Sequence, residues 1–225
     1  MTENIASLLY LSSSVCFILA IRGLNSPDSA NGGNLFGIAG MALAIATTLA
    51  MPIILSYELI IIGILLGGSI GTILALKTQM TALPQLVAAF NSLVGLAACF
   101  VAAAAFYRPD AYEIGKFLDI NTINLIEMTL GIAIGAITFT GSIVAFGKLQ
   151  GIIPGAPLNF KSQHLVNAVL GIVLFSMIVW ITFDQSERVF WTIFGVAFLL
   201  GVLVIIPIGG ADMPVVISML NSYSG

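Results

Sequence analysis

The chain has 225 residues, 59% of them hydrophobic and only 8% charged, with a mean hydropathy of +1.12 and a formal net charge of −3. An ordinary soluble domain is roughly 25% charged, so this chain has too few polar groups to cover a water-facing surface, and a soluble helical bundle is excluded. No basic cluster points to nucleic acid, and the net charge identifies no partner.

Charges and turn residues divide the sequence into apolar runs at about 5–21, 35–55, 58–76, 86–107, 122–147, 165–183 and 190–208. Each approaches the roughly 20 residues that a helix needs to cross a bilayer. All are expected to be helical, because lipid satisfies no backbone hydrogen bonds. The expected fold is an all-α, polytopic transmembrane helix bundle forming a single domain, with seven full spans and the start of an eighth. The first run is preceded by Met-Thr-Glu-Asn, with Glu3 and no basic residue, so it reads as a retained span rather than a signal peptide. Cys16 and Cys99 sit inside apolar runs and read as buried thiols rather than metal ligands or a disulfide.

The last run begins near Pro214, and its 12 residues would rise only about 18 Å against a core of about 30 Å. The expectation is a chain that forms the first part of a longer subunit. With alternate loops on opposite sides, Arg22, Lys77, Lys148 and Lys161 share one face, and Arg108, Lys116 and Arg188 share the other. This weakly favours the first face as cytoplasmic, which puts the N-terminus outside.

One pattern occurs twice. Residues 84–95 read PQLVAAFNSLVG and residues 214–225 read PVVISMLNSYSG, with Pro, Asn, Ser and Gly in matched places. Both copies open helices that enter from the same side. Each proline can therefore occupy a first helical turn, where its missing N–H costs nothing. Asn91 and Asn221 then lie about 10 Å into the membrane. Asn91 shares a face with Gly95, Ala98 and Ala102, small residues that admit a close helix neighbour. It reads either as interhelical glue or as the lining of a proton or ion path.

Glu127 lies six residues into the fifth run, with Gly131, Gly135 and Thr138 following it. An ionisable group inside a span is a functional-site hypothesis by default, with an interfacial anchor as the alternative. Thr138, Thr140 and Ser142 are able either to bond back to their own helix or to line a polar path. His164 reads as an interfacial residue, and Asp212 as an acid ahead of a helix start. Glycines at 63, 67 and 71 and at 131 and 135 read as stripes of close helix contact. No Gly-rich phosphate loop and no metal-ligand spacing is present in the sequence.

Four stretches together carry a resemblance: GNLFGIAGMALA (33–44), FNSLVGLAA (90–98), TLGIAIGAITFTGSIVAFGKLQG (129–151) and PIGGADMPVVISMLNSYSG (207–225). They resemble the membrane domain of the proton-translocating nicotinamide nucleotide transhydrogenase beta subunit, over nearly the whole chain. The resemblance implies an enzyme that moves a hydride from NADH to NADP⁺ coupled to inward proton flow. Soluble domains outside this chain would bind NAD and NADP, and the chain itself would bind no cofactor and no metal and hold no catalytic residue.

It further implies a proton pathway through Asn91, Asn221, Glu127 and Ser142, with Asp212 in a coupling loop that senses the NADP(H) domain. Asn91 stands where many members carry a proton-bearing histidine. Asparagine has no titratable proton, so the histidine is expected from a partner alpha-subunit helix. The implied setting is a bacterial plasma membrane or mitochondrial inner membrane, with the assembled enzyme a dimer. A secondary transporter with a parallel-repeat site between helices four and eight and a purely structural membrane subunit are the rival expectations.

Overall fold

A computed structural model describes residues 3–51 and 56–224. Among these, eight α-helices carry nearly all of the regular structure, and seven are long and apolar enough to span a membrane. They are α1 (Glu3–Leu24), α2 (Ala30–Leu49), α3 (Tyr57–Lys77), α4 (Leu83–Tyr107), α5 (Thr122–Leu149), α6 (Gln163–Trp180), α7 (Glu187–Ile205) and α8 (Met213–Ser224). This is the all-α bundle expected from composition. The expected run 35–55 ends in residues that lie partly outside the described ones.

The chain forms two compact units, Met1–Ile73 and Leu74–Gly225. In the first, α1 and α2 make a tight hairpin. A Cβ built on Gly23 would lie 2.5 Å from the Cα of Gly33, so only glycine allows this approach. Ser29 Oγ closes the turn by donating to the Gly23 carbonyl at 2.6 Å, and Ser13 Oγ donates across to the Gly40 carbonyl at 2.7 Å. Helix α3 has no buried residue, and a side chain built on Gly63, Gly67 or Gly71 meets no atom within 4 Å among the described residues. That glycine stripe therefore makes no close helix contact among the described residues.

In the second unit α5 is the central helix, flanked by α4, α6, α7 and α8. Two apolar clusters pack around it. One joins α4, α5, α6 and α7 around Phe106, Leu125, Ile132, Phe190 and Ile193; the other joins Ala88, Val144, Ala145 and Ile205 to Met213, Val216, Ile217 and Leu220 of α8. Thr140 splits its hydroxyl between its own helix, at Ala136 O (3.0 Å), and Phe198 O of α7 (2.9 Å). Replacing Thr140 by valine should remove this bridge at a cost of about 1 kcal/mol, read as a small drop in the thermal midpoint of the detergent-purified protein. An unchanged midpoint would show that neither bond of the Thr140 hydroxyl contributes measurably to stability.

The loop between α4 and α5 holds a short hairpin that its sequence does not announce: β1 (Gly115–Lys116) pairs antiparallel with β2 (Asp119–Ile120). Gly115 takes φ +136, and a side chain there would run into the backbone of Asp119 and Ile120, so glycine is required. Gln185 completes the hairpin as a surrogate strand. Its Oε1 accepts from Ile120 N at 2.8 Å and its Nε2 donates to Ile120 O at 3.0 Å. Asn121 caps α5, accepting from Ile123 N at 3.1 Å, and Ser186 caps α7.

Candidate functional site

The repeat is built the same way in both copies. A 3₁₀ turn, Met80–Ala82, leads into α4, and a second, Gly210–Asp212, leads into α8. The residue before each turn is extended, Gln79 at φ −73, ψ 151 and Gly209 at φ −66, ψ 149, and each carbonyl accepts from the last N–H of its turn. Pro84 and Pro214 are then the second residues of their helices, where no N–H is needed. The two starts lie side by side, and Leu83, Pro84 and Val87 face Pro214, Ile217, Ser218 and Asn221 across a groove.

From this common start the asparagines reach different surroundings. Asn91 is only 3% exposed and its Nδ2 donates to Ser142 Oγ at 2.9 Å, with Ser142 fully buried. The approach depends on glycine one turn further on. A Cβ on Gly95 would lie 2.6 Å from Phe139 N, and one on Gly135 would lie 2.8 Å from Gly95 O and 3.1 Å from Ala98 Cβ. The small face of α4 thus packs on α5, backbone to backbone. Gly131, one turn earlier, meets nothing within 4 Å, so of the expected glycine pair in α5 only Gly135 is a contact. Asn221 is exposed along the groove between α4 and α8.

The hydroxyls of α5 separate by direction. Ser142 faces Asn91, Thr140 faces α7, and Thr138 is buried. Two residues along a helix turn the side chain by about 200°, which sends neighbouring alternate positions to opposite flanks. Ser92, beside Asn91, bonds its own helix at Ala89 O.

Glu127 lies apart from this cluster. It is exposed and has no hydrogen bond or ion pair among the described residues. Steps of four residues overshoot a full turn, so going from Glu127 to Gly135 rotates the face by about 80° and carries Glu127 off the packed stripe. Fifteen residues separate it from Ser142, about 22 Å along α5. Asp212 is exposed on the turn directly before α8, and His164 is exposed in the first turn of α6. Cys99 is buried with its Sγ 3.6 Å from the Ile132 carbonyl, and Cys16 is half-buried; both are free thiols.

Lys148 is the group that sequence reading misplaced. It belongs to the last turn of α5, only 4% exposed, and its Nζ donates to the carbonyls of Ile206 (2.6 Å), Ile208 (2.7 Å) and Ala156 (3.4 Å). It is not a loop cation in water.

The model of the family described as NAD(P) transhydrogenase beta subunit matches residues 6–225. The chain belongs to this family. The NAD(P) transhydrogenase subunit beta of Rhodospirillum rubrum is 55% identical over 225 residues, which cover 100% of this chain and 48% of that relative. A relative with the same name from a designated strain of the same organism has the same identity and coverage. The chain spans about half the length of the curated relatives it matches. Membership gives the seven apolar helices their context: they belong to a multi-pass stretch of a transhydrogenase beta subunit.

Proposed function

We propose that this chain is the proton-conducting membrane segment of an NAD(P)⁺ transhydrogenase, which couples proton movement to hydride transfer between NADH and NADP⁺. The observation that carries the reading is the buried Asn91–Ser142 hydrogen bond inside a glycine-lined helix contact. A polar pair at membrane depth, facing protein rather than lipid, is placed where function lives. As the acceptor of Asn91 Nδ2, Ser142 Oγ turns its own proton elsewhere, so the pair orders a donor for water or for a neighbouring side chain. Neither group takes up a proton, so the carrier is a titratable side chain beside them, a histidine from an alpha-subunit helix.

Asn221, as far past Pro214 as Asn91 is past Pro84, stands on the same path at the groove that opens between α4 and α8. Asp212, on the turn before α8, meets the NADP(H) domain. Glu127, exposed on a spanning helix, faces an alpha-subunit helix rather than acyl chains, because a carboxylate in hydrocarbon is too costly. The nucleotides NAD and NADP bind soluble domains outside this chain. The assembled enzyme is a dimer in a bacterial plasma membrane or mitochondrial inner membrane.

The test is Asn221→Leu in the complete enzyme, reconstituted in vesicles. Proton uptake driven by turnover should fall at least about tenfold, while the dissociation constants for NAD(H) and NADP(H) stay within about twofold. Pumping at the unmodified rate would overturn the pathway.

A further inference from the structure

Lys148 holds its charge in an unusual way. No ion pair to it is found among the described residues; three backbone carbonyls take its place. An ammonium has three N–H donors and no acceptor, so these carbonyls satisfy it fully. Two of them, Ile206 and Ile208, lie just beyond the C-terminal end of α7, where the helix dipole favours a cation. The third, Ala156, lies in the loop after α5. Two backbone bonds bind the same pair of segments, Gly210 N to Gly155 O at 2.8 Å and Leu158 N to Ile206 O at 3.4 Å. One cation therefore gathers the end of α5, the loop after it and the link from α7 to α8.

What that link carries makes the clamp consequential. The turn Gly210–Asp212 follows directly, and Met213, the first residue of α8, is fully buried. Further along, α8 rests on α5 at a glycine: a Cβ on Gly141 would lie 3.0 Å from Ile205 Cγ1 and 3.2 Å from Leu220 Cδ1. Gly141 precedes Ser142, the partner of Asn91. The layer between clamp and pair is the apolar cluster of Ala88, Val144, Ala145, Ile205, Met213 and Ile217, close-packed and so able to pass on a shift rather than absorb it.

We propose that Lys148 is a positioning residue, a pin that fixes the link bearing Asp212 and thereby sets the seat of α8 on Gly141 and the alignment of the Asn91–Ser142 pair. A displacement of the link is transmitted to that pair through Lys148. Withdrawing the Ile206 and Ile208 carbonyls would leave a buried ammonium unsatisfied, so the link is held or released as one piece. The proposal rests on the reading of that pair as part of a proton path.

The experiment uses the complete two-subunit enzyme with Val87→Cys and Ser218→Cys, which face each other across the groove between α4 and α8. A short bifunctional thiol reagent measures how firmly α8 is seated. Lys148→Met should slow cross-linking at least about fivefold and lower proton-coupled turnover at least about tenfold. Hydride exchange between bound nucleotides, which needs no proton movement, should stay within about twofold, and Lys148→Arg should restore both altered rates to within about threefold.

Unchanged cross-linking and coupling in Lys148→Met would overturn the proposal, as would a uniform loss of coupled and uncoupled activity. If Lys148→Met does not assemble, Lys148→Gln, which keeps N–H donors without the charge, is judged by the same readouts. The two readings fail separately. Intact proton flux in Asn91→Leu alongside loose cross-linking in Lys148→Met would sink the pathway and leave the pin; the reverse result would sink the pin alone.

Discussion

Replacing Gly95 by leucine should part α4 from α5 and cost the complete enzyme most of its assembled form. The atoms that a Cβ would meet at Gly95, Phe139 N at 2.6 Å and Gly135 O at 2.7 Å, are backbone atoms of α5 and have no rotamer to escape into. Overpacking of a well-filled core costs about 1–3 kcal/mol where side chains give way, and here none are present to do so. The expected cost is at or above about 3 kcal/mol. It should appear as a much lower yield of membrane-inserted protein and a thermal midpoint well below that of the unmodified enzyme. Since Asn91 lies one turn away, its bond to Ser142 should go with the contact. A Gly95→Leu enzyme with normal yield and normal coupling would mean that α4 and α5 are not in this contact.

Asn91→Leu should produce the opposite pattern, a large functional loss on a stable fold. Leucine is close to asparagine in shape. The Ser142 hydroxyl that loses its donor is able to bond back to a carbonyl of its own helix, as Thr140 does to Ala136. The stability cost should therefore be about 1 kcal/mol. On the proposed pathway, proton-coupled turnover should fall about a hundredfold or more, with nucleotide affinities unchanged, because the pathway uses this interaction in proton movement and not in ground-state binding. Coupled rates and thermal midpoints measured together on the two variants separate the roles: Gly95 brings the helices together, and Asn91 uses the contact. A fall of less than about threefold in Asn91→Leu would assign Asn91 to packing alone.

The helices were legible because hydrocarbon makes hydrophobic run length nearly sufficient to place them. The expected runs 58–76 and 122–147 correspond to Tyr57–Lys77 and Thr122–Leu149. Boundaries were less legible where turns recruit polar residues into the helix. The expected loop 22–34 gives up its second part to α2, which starts at Ala30 once Ser29 has closed the turn. The face of Asn91 could be read because small residues recur on it at helical spacing. Its partner could not be, since the choice among Thr138, Thr140 and Ser142 depends on the rotation of α5 relative to α4, which no single-helix periodicity contains.

The reading of Lys148 failed for a physical reason: a residue near a span end belongs to whichever environment a distant segment supplies. Lys148 looks like an interfacial cation until carbonyls about sixty residues away fold over it. Glu127 is exposed on α5, because the accumulated rotation of four-residue steps carries it off the packed stripe. The hairpin at 115–120 was missed because its pairing is only two residues long and leans on the Gln185 amide rather than on a strand of its own.

The two ends of the second unit are fastened by different means. At one end Phe106 stacks on Phe190 with ring centroids 4.3 Å apart and planes 12° apart, Phe117 lies over Tyr107, and Trp191 Nε1 donates to the Tyr107 hydroxyl, which donates to Glu187. That end acts as a fulcrum, because many rings share the load. At the other end one ammonium and two backbone hydrogen bonds gather the segments, so any tilt of α7 about its aromatic anchor would be largest where the helix reaches Ile206.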